Sequence, residues 1–310
     1  MATPALEVSI PAPKRRGPRV GLVLGSGSAR GWAHLGVIRV LEREGLRPDF
    51  VCGTSVGALV AAAYAAGNLE RFQEWVLGMH RSDVISLMDV GLSGGLLKGA
   101  RLMTSIRRTF DDCKIEELSL PFGAVATALH TGAEVWLREG SLLEAVRASI
   151  AMPGLFTPVL RDDTLLVDGA LVNPVPVSLG RAMGGVILIA VDLSSDILGR
   201  HLLISAQEEA PVNQSSDWMR KIWPASDGPK RPSMLGVVTA ALNVMQVRIT
   251  RSRMAGEPPD VIVAPRLAHL GLLDFHRAEE AIKEGERAME AALESLRLLG
   301  IQSSANGAAE

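Results

Sequence analysis

Cysteine, tyrosine and unbalanced charge are what this chain has least of. Its 310 residues include two cysteines, one tyrosine and a formal net charge of -2. Cys52 and Cys113 stand alone, with no Cys-x-x-Cys or Cys/His spacing, which argues against a disulfide framework and a structural zinc site; no metal and no cofactor is expected. The balanced charge gives no basic face of the kind nucleic acid demands, so no nucleic-acid partner is expected. No apolar run reaches the ~18 residues of a membrane span. The nearest, Val56 to Gly67, is short and alanine-rich and reads as a buried helix. Residues 1–18 lack the apolar core of a secretory signal. They are rich in proline, alanine and basic residues, and they are expected to be disordered, as is the tail 302–310. The expected compartment is the reducing cytoplasm.

What is present is apolar and glycine-rich: 47% hydrophobic residues and 31 glycines. The length gives ample chain to bury a core. Strand and helix patterns alternate from the start. Arg19 to Leu24 is an apolar run, Trp32 to Glu44 has helical spacing, Phe50 to Cys52 is a second strand, and Ser55 to Ala66 a second helix. That order predicts a parallel sheet with crossover helices. Residues Leu69 to Phe110 read as mostly helical around a glycine cluster. Phe122 to Leu129 and Glu134 to Leu137 read as a hairpin about Thr131-Gly132. Further helices are expected over Leu142 to Ile150 and Val177 to Met183. Strands are expected over Thr164 to Val167 and Val186 to Val191. Ser194 to Ser233 is polar and proline-rich and reads as an excursion or lid. Leu235 to Met254 and Ala278 to Leu299 are expected helices, with a strand at Asp260 to Pro265 between them.

Three motifs could carry chemistry. Gly-x-Ser-x-Gly occurs twice. Gly53-Thr54-Ser55-Val56-Gly57 lies between a strand and a helix, the setting of a nucleophile elbow, in which flanking glycines relieve a strained, exposed serine. The competing reading of Ser55 is a helix N-cap. Gly91-Leu92-Ser93-Gly94-Gly95 has no strand before it and reads as a loop. The second motif is Gly25-Ser26-Gly27-Ser28-Ala29-Arg30-Gly31, between the first strand and first helix. Its backbone N–H groups suit an anion or an oxyanion. A dinucleotide site would need an acid at the end of the second strand, and Ser55 with its glycines stands there instead. The third motif, Leu166-Val167-Asp168-Gly169-Ala170, ends a strand in an aspartate that could serve as a base or simply accept backbone N–H groups in a turn.

Taken together and in this order, these motifs resemble the patatin-like phospholipases, most of all their bacterial RssA-type members. The segments GLVLGSGSARGWAHLGVIRVLEREGL, SIAMPGLFTPV, LLVDGALVNPVPVSLGRAMGG, RSRMAGEPPDVIV and LLDFHRAEEAI extend the match over roughly Arg19 to Leu293. The resemblance implies a three-layer α/β/α sandwich with a mainly parallel central sheet, and a serine lipid acyl hydrolase that works without a histidine. By position, Ser55 matches the nucleophile and Asp168 the base. The backbone of Ser26 and Gly27 matches the oxyanion hole, with Arg30 in the basic position beside it. Gly25, Gly31, Gly53, Gly57 and Gly169 match the motif glycines. Many members have three consecutive glycines where this chain has Gly25-Ser26-Gly27. The implied organisation is a catalytic domain over 19–193 and an extension over 194–301 packing on the same core.

An aspartate of ordinary pKa, ~3.9, is a weak base for a hydroxyl, so burial beside the serine is expected to raise it. Among the histidines, His34 lies one turn into the first helix, His130 ends a strand, and His276 falls late in the chain. A packing role is expected for His34; His130 is an outside candidate, and His276 lies where an α/β-hydrolase histidine would, although that fold places its serine after several strands and Ser55 follows only two. His80, His201 and His269 carry no local signal. Asp192, ending the cleanest strand, is the rival acid. The expected substrate is a phospholipid, lysophospholipid or related acyl ester. A lipid substrate would bring the chain to the inner membrane surface as a peripheral protein. Trp218, Met219 and Trp223, beside Arg220 and Lys221, fit either a lid touching lipid or a polar surface loop with packed tryptophans. A non-catalytic lipid-binding scaffold and an acyltransferase are the alternatives, and oligomeric state is not set by the sequence.

Overall fold

Every second residue of the central strands faces the opposite way, and each set packs into its own apolar layer. Leu22, Leu24, Val51, Ala124, Ala126, Ile189 and Val191 belong to one core, Val23, Phe50, Cys52, Val125, Leu188 and Ala190 to the other. The computed structural model describes residues 17–87, 99–197 and 234–301. The expected N-terminal segment up to residue 16, the Gly91–Gly95 loop, the region of Trp218, Met219 and Trp223, and the tail 302–310 lie outside the described residues.

Five strands run parallel in the spatial order β3 (Phe122–Ala128), β2 (Phe50–Thr54), β1 (Val20–Leu24), β7 (Ile187–Val191) and β8 (Val261–Val263). Strands buried on both faces carry continuous apolar runs, as RVGLVL and VILIAV do. One face is covered by α1 (Ala33–Arg43), α2 (Val56–Ala65), α6 (Leu142–Ser149) and α9 (Ala278–Leu298). The other is covered by α7 (Val177–Ala182) and by Met254 near the end of α8 (Met234–Gly256). The architecture is a mixed α/β sandwich of three layers around a mostly parallel sheet. Helices α3 (Leu69–Leu77), α4 (Arg81–Leu87) and α5 (Ala100–Ile106) fill the region between β2 and β3 in sequence.

The antiparallel part of the sheet positions the site. β4 (Glu134–Leu137) folds back on β3 as the hairpin pattern predicts. β6 (Thr164–Asp168) also pairs antiparallel with β3. Ala126 is paired with Val135 of β4 and with Asp168 of β6, so these lie on opposite edges of β3. Ala124 is likewise paired with Leu137 of β4 and Gly53 of β2. β2 and β6 therefore share one edge of β3, end to end. Thr54 closes β2 opposite Val125, and Asp168 closes β6 opposite Ala126. A further strand, β5 (Val159–Arg161), pairs with β6 across a turn at Asp162 and Asp163, both at positive φ. The sequence pattern missed it because three residues, two of them half-buried and one exposed, carry no periodicity.

Candidate active site

Between the end of β2 and the start of α2 stands a single residue, Ser55, at φ 57 and ψ -125. A left-handed serine costs on the order of 1–3 kcal/mol and persists only where its surroundings hold it. Here the two flanking glycines allow a close approach that no side chain would. A Cβ on Gly53 would lie 2.4 Å from the carbonyl carbon of Gly57, and one on Gly57 would lie 2.2 Å from the carbonyl oxygen of Leu24. The Ser55 N–H donates to Ser149 Oγ at 2.9 Å, and the Ser149 hydroxyl donates to the Val125 carbonyl at 2.7 Å. Ser149, at the end of α6, thus pins the elbow to β3. No local pattern signals this role, because a lone serine in a helix has many uses. The Ser55 side chain makes no N-cap bond. It donates instead to Asp168 Oδ2 at 2.6 Å.

Asp168 is 1% exposed. Its Oδ1 accepts the Ala170 N–H at 2.8 Å. Its own N–H donates to Ala151 O, and its carbonyl accepts the Thr127 hydroxyl. Gly169 next to it is pressed against β3, where a Cβ would meet the Val125 carbonyl oxygen at 2.3 Å. Burial pushes the carboxyl up from 3.8 to about 7, against the two hydrogen bonds from Ser55 and Ala170 that favour the charged form. A carboxylate with that pKa is a far better proton acceptor at neutral pH than an exposed one.

The glycine-rich loop after β1 lies beside this pair. The Ser26 N–H donates to the Pro174 carbonyl at 2.8 Å, and the Gly25 N–H to Val191 O. Ser26 therefore ties the loop to the Asp168–Pro174 turn and has no N–H left to offer an oxyanion. The N–H groups of Gly27 and Ser28 have no partner among the described residues. Ser28 is at φ 52 and lines the pocket containing Ser55 and Asp168; its hydroxyl donates to Leu272 O at 2.5 Å. Arg30, buried at 1% exposure, donates from Nε to the Gly27 carbonyl and from a terminal nitrogen to Asn243 Oδ1 of α8, both at 3.2 Å. Burial lowers its pKa to about 10, partly offset by Asp196 and Asp192, so it stays a cation. Gly31 packs against Val56 at the start of α2.

Among the described residues no histidine is hydrogen-bonded to Ser55 or Asp168. His34 is fully buried with its Nε2 2.7 Å from the Gly25 carbonyl, and burial lowers its pKa to about 4. It is a neutral ring that braces the loop. His276 accepts from Arg81 Nε at 3.0 Å, His269 pairs with Glu280, and His130 is exposed. Asp192 Oδ1 accepts both the N–H and the hydroxyl of Ser194. Among the described residues no group of three His, Cys, Asp or Glu side chains is gathered to hold a metal ion. None of the described helices is long and apolar enough to cross a membrane.

Ser55 and Asp168 sit in the wall of a pocket of about 830 Å³, its open mouth included. Apart from Ser28, Ser55 and Asp168 its lining is hydrophobic, including Leu59, Trp75, Met79, Leu102, Leu155 and Phe156. The loop that follows β8 closes one side through Leu273 and Phe275, held by Trp32 Nε1–H donating to Phe275 O at 3.1 Å.

A serine on a strained strand-to-helix turn, hydrogen-bonded to a buried carboxyl beside a glycine-rich loop, invites comparison with known proteins. Residues 22–180 match the Patatin-like phospholipase family, and the chain belongs to it. Membership supports lipid hydrolysis as the general class of activity. The chain is similar to an uncharacterized NTE family protein of Mycobacterium tuberculosis, 30% identical over 91% of this chain and 93% of that one. It is also similar to human patatin-like phospholipase domain-containing protein 6, 32% identical over 75% of this chain and 17% of that one. Among solved structures, VipD from Legionella pneumophila aligns with a TM-score of 0.46 and 14% identity, over 90% of this chain and 67% of that one.

Proposed function

We propose that the protein is a serine esterase acting on lipid acyl esters, with Ser55 as nucleophile and Asp168 as its sole proton acceptor. The observation that carries this reading is the 2.6 Å hydrogen bond from Ser55 Oγ to Asp168 Oδ2 in the wall of an apolar pocket. Asp168 takes the hydroxyl proton as Ser55 attacks the ester carbonyl. The N–H groups of Gly27 and Ser28 receive the developing negative charge. Asp168 then returns the proton to the departing alcohol, leaving an acyl-enzyme that water opens by the same steps in reverse. The rest of the loop works as support: Ser26 holds Pro174, Arg30 holds the Gly27 carbonyl, and His34 holds the Gly25 carbonyl.

Incubation with a fluorophosphonate should label Ser55 covalently, and the same residue should be needed to release fatty acid from a panel of phospholipids and lysophospholipids. Equal labelling of Ser55→Ala would overturn the assignment. Tight lipid binding without product would favour the scaffold reading, and transfer of the acyl group to an added alcohol in preference to water would favour an acyltransferase.

A further inference from the structure

A second hollow lies against the pocket at Ser55. It is large, about 1140 Å³ with its open mouth, and its lining is more polar: Asp83, Ser86, Arg101, Thr104 and Arg108 contribute to it. Two residues line both hollows, Trp75 and Met79. They are the partition between an apolar pocket and a more polar one. Trp75 is fixed in that position. Its indole N–H donates to Ser105 Oγ at 3.0 Å, and its ring packs on Phe72 at 5.5 Å and edge-on against Trp32 at 6.4 Å.

We infer that Trp75, with Met79, is the gauge that sets acyl-chain length; the inference rests on the esterase reading above. The apolar pocket has no group except those at Ser28, Ser55 and Asp168 that could satisfy a polar headgroup, so the part of an ester it can take is the hydrocarbon chain. A chain whose carbonyl stands at Ser55 runs along Leu59 and Leu102 towards α3. Each methylene buried there raises kcat/KM by about fourfold. At Trp75 and Met79 that gain stops. A longer chain must either displace an indole held by Ser105 and two aromatic neighbours or emerge among Asp83, Arg101 and Arg108, where each methylene gains less. Ser105 is thus a positioning residue and Trp75 a specificity residue, and neither takes part in the proton transfers.

The test is a series of p-nitrophenyl esters from acetate to palmitate, with kcat/KM measured for the wild type, Trp75→Ala, Met79→Ala and Ser105→Ala. The wild type should climb with chain length and then break to a plateau or fall. In Trp75→Ala the break should move to chains longer by about two carbons or more, and the ratio of long-chain to short-chain kcat/KM should rise about tenfold. Met79→Ala should shift it in the same direction, and Ser105→Ala by less. Labelling of Ser55 by a small fluorophosphonate reports that each variant has an assembled site. An unchanged break in labelled variants overturns the gauge alone. Absence of both turnover and labelling in the wild type overturns the esterase reading on which it rests.

Discussion

Two aspartates stand at the ends of strands in the same sheet, and the chain treats them in opposite ways. Asp168 closes β6 and Asp192 follows β7; both are buried, at 1% and 8% exposure. Asp168 has a serine hydroxyl and one backbone N–H as partners and no arginine or lysine among the forces acting on it, so burial dominates and the carboxyl holds its proton to about 7. Asp192 has a local turn partner in Ser194 and stands within electrostatic reach of the buried Arg30. The first arrangement suits a group that must gain and lose a proton. The second suits a carboxylate that helps keep Arg30 a cation under the glycine loop. What separates the proposed base from a brace is its neighbours, since both residues end an apolar strand.

The sharpest way to break this contrast is to neutralise each acid in turn. Asp168→Asn should lower kcat/KM on a short acyl ester by about 10³-fold or more, as removal of a member of a catalytic pair does. Asp192→Asn should cost about tenfold or less, through a loosened Arg30. Steady-state kinetics on the two variants decides it, and the reverse ranking would make Asp192 the base. Next in size is the pH profile. With Asp168 as the base, kcat/KM should fall about tenfold per pH unit below 7 and level off above it; a limb centred near pH 4 would point to an exposed carboxylate instead.

The same burial predicts a stability effect of opposite sign. The unfolded chain ionises near 3.8, whereas the folded carboxyl keeps its proton to about 7. The folded state therefore binds more protons across that window, and it loses stability as pH rises through it. Asp168→Asn, which cannot ionise, should be more stable than the wild type by up to about 4 kcal/mol above pH 7, with the gain gone near pH 4. Urea unfolding at both pH values measures this. The smallest effect is expected at the support. Ser149→Ala leaves the Ser55 N–H and the Val125 carbonyl unpaired, at a cost of about 1–3 kcal/mol, and should lower turnover by about tenfold or less.

Much of this was legible in the sequence for a physical reason: the strand-turn-helix units announce themselves locally. The runs before Gly25 and Gly53 became β1 and β2, adjacent and parallel, and their two turns meet at one end of the sheet. Gly-x-Ser-x-Gly carried its own geometric requirement, visible as the steric contacts at Gly53 and Gly57. Long-range partnerships were not legible. Nothing near Ser26 says that its N–H will be taken by Pro174, and it was expected to serve the oxyanion; Gly27 and Ser28 keep the N–H groups that could. Nothing near Ser149 announces Ser55 as its partner, because a hydroxyl's role depends on what the fold brings within 3 Å. The helical break after α3 and the short β5 also escaped, being set by packing and not by pattern.

The shared edge of β3 has a consequence for how the protein could tolerate change. Val125 and Ala126 are consecutive, and they fix the ends of β2 and β6 respectively. Thr54, the residue before Ser55, and Asp168 are therefore held one peptide step apart along a third strand, about 3.3 Å of rise. That step acts as a ruler that neither partner carries itself. Residues added between α2 and α3 leave that step unchanged. A single residue inserted between Val125 and Ala126 would part Thr54 and Asp168 without touching either.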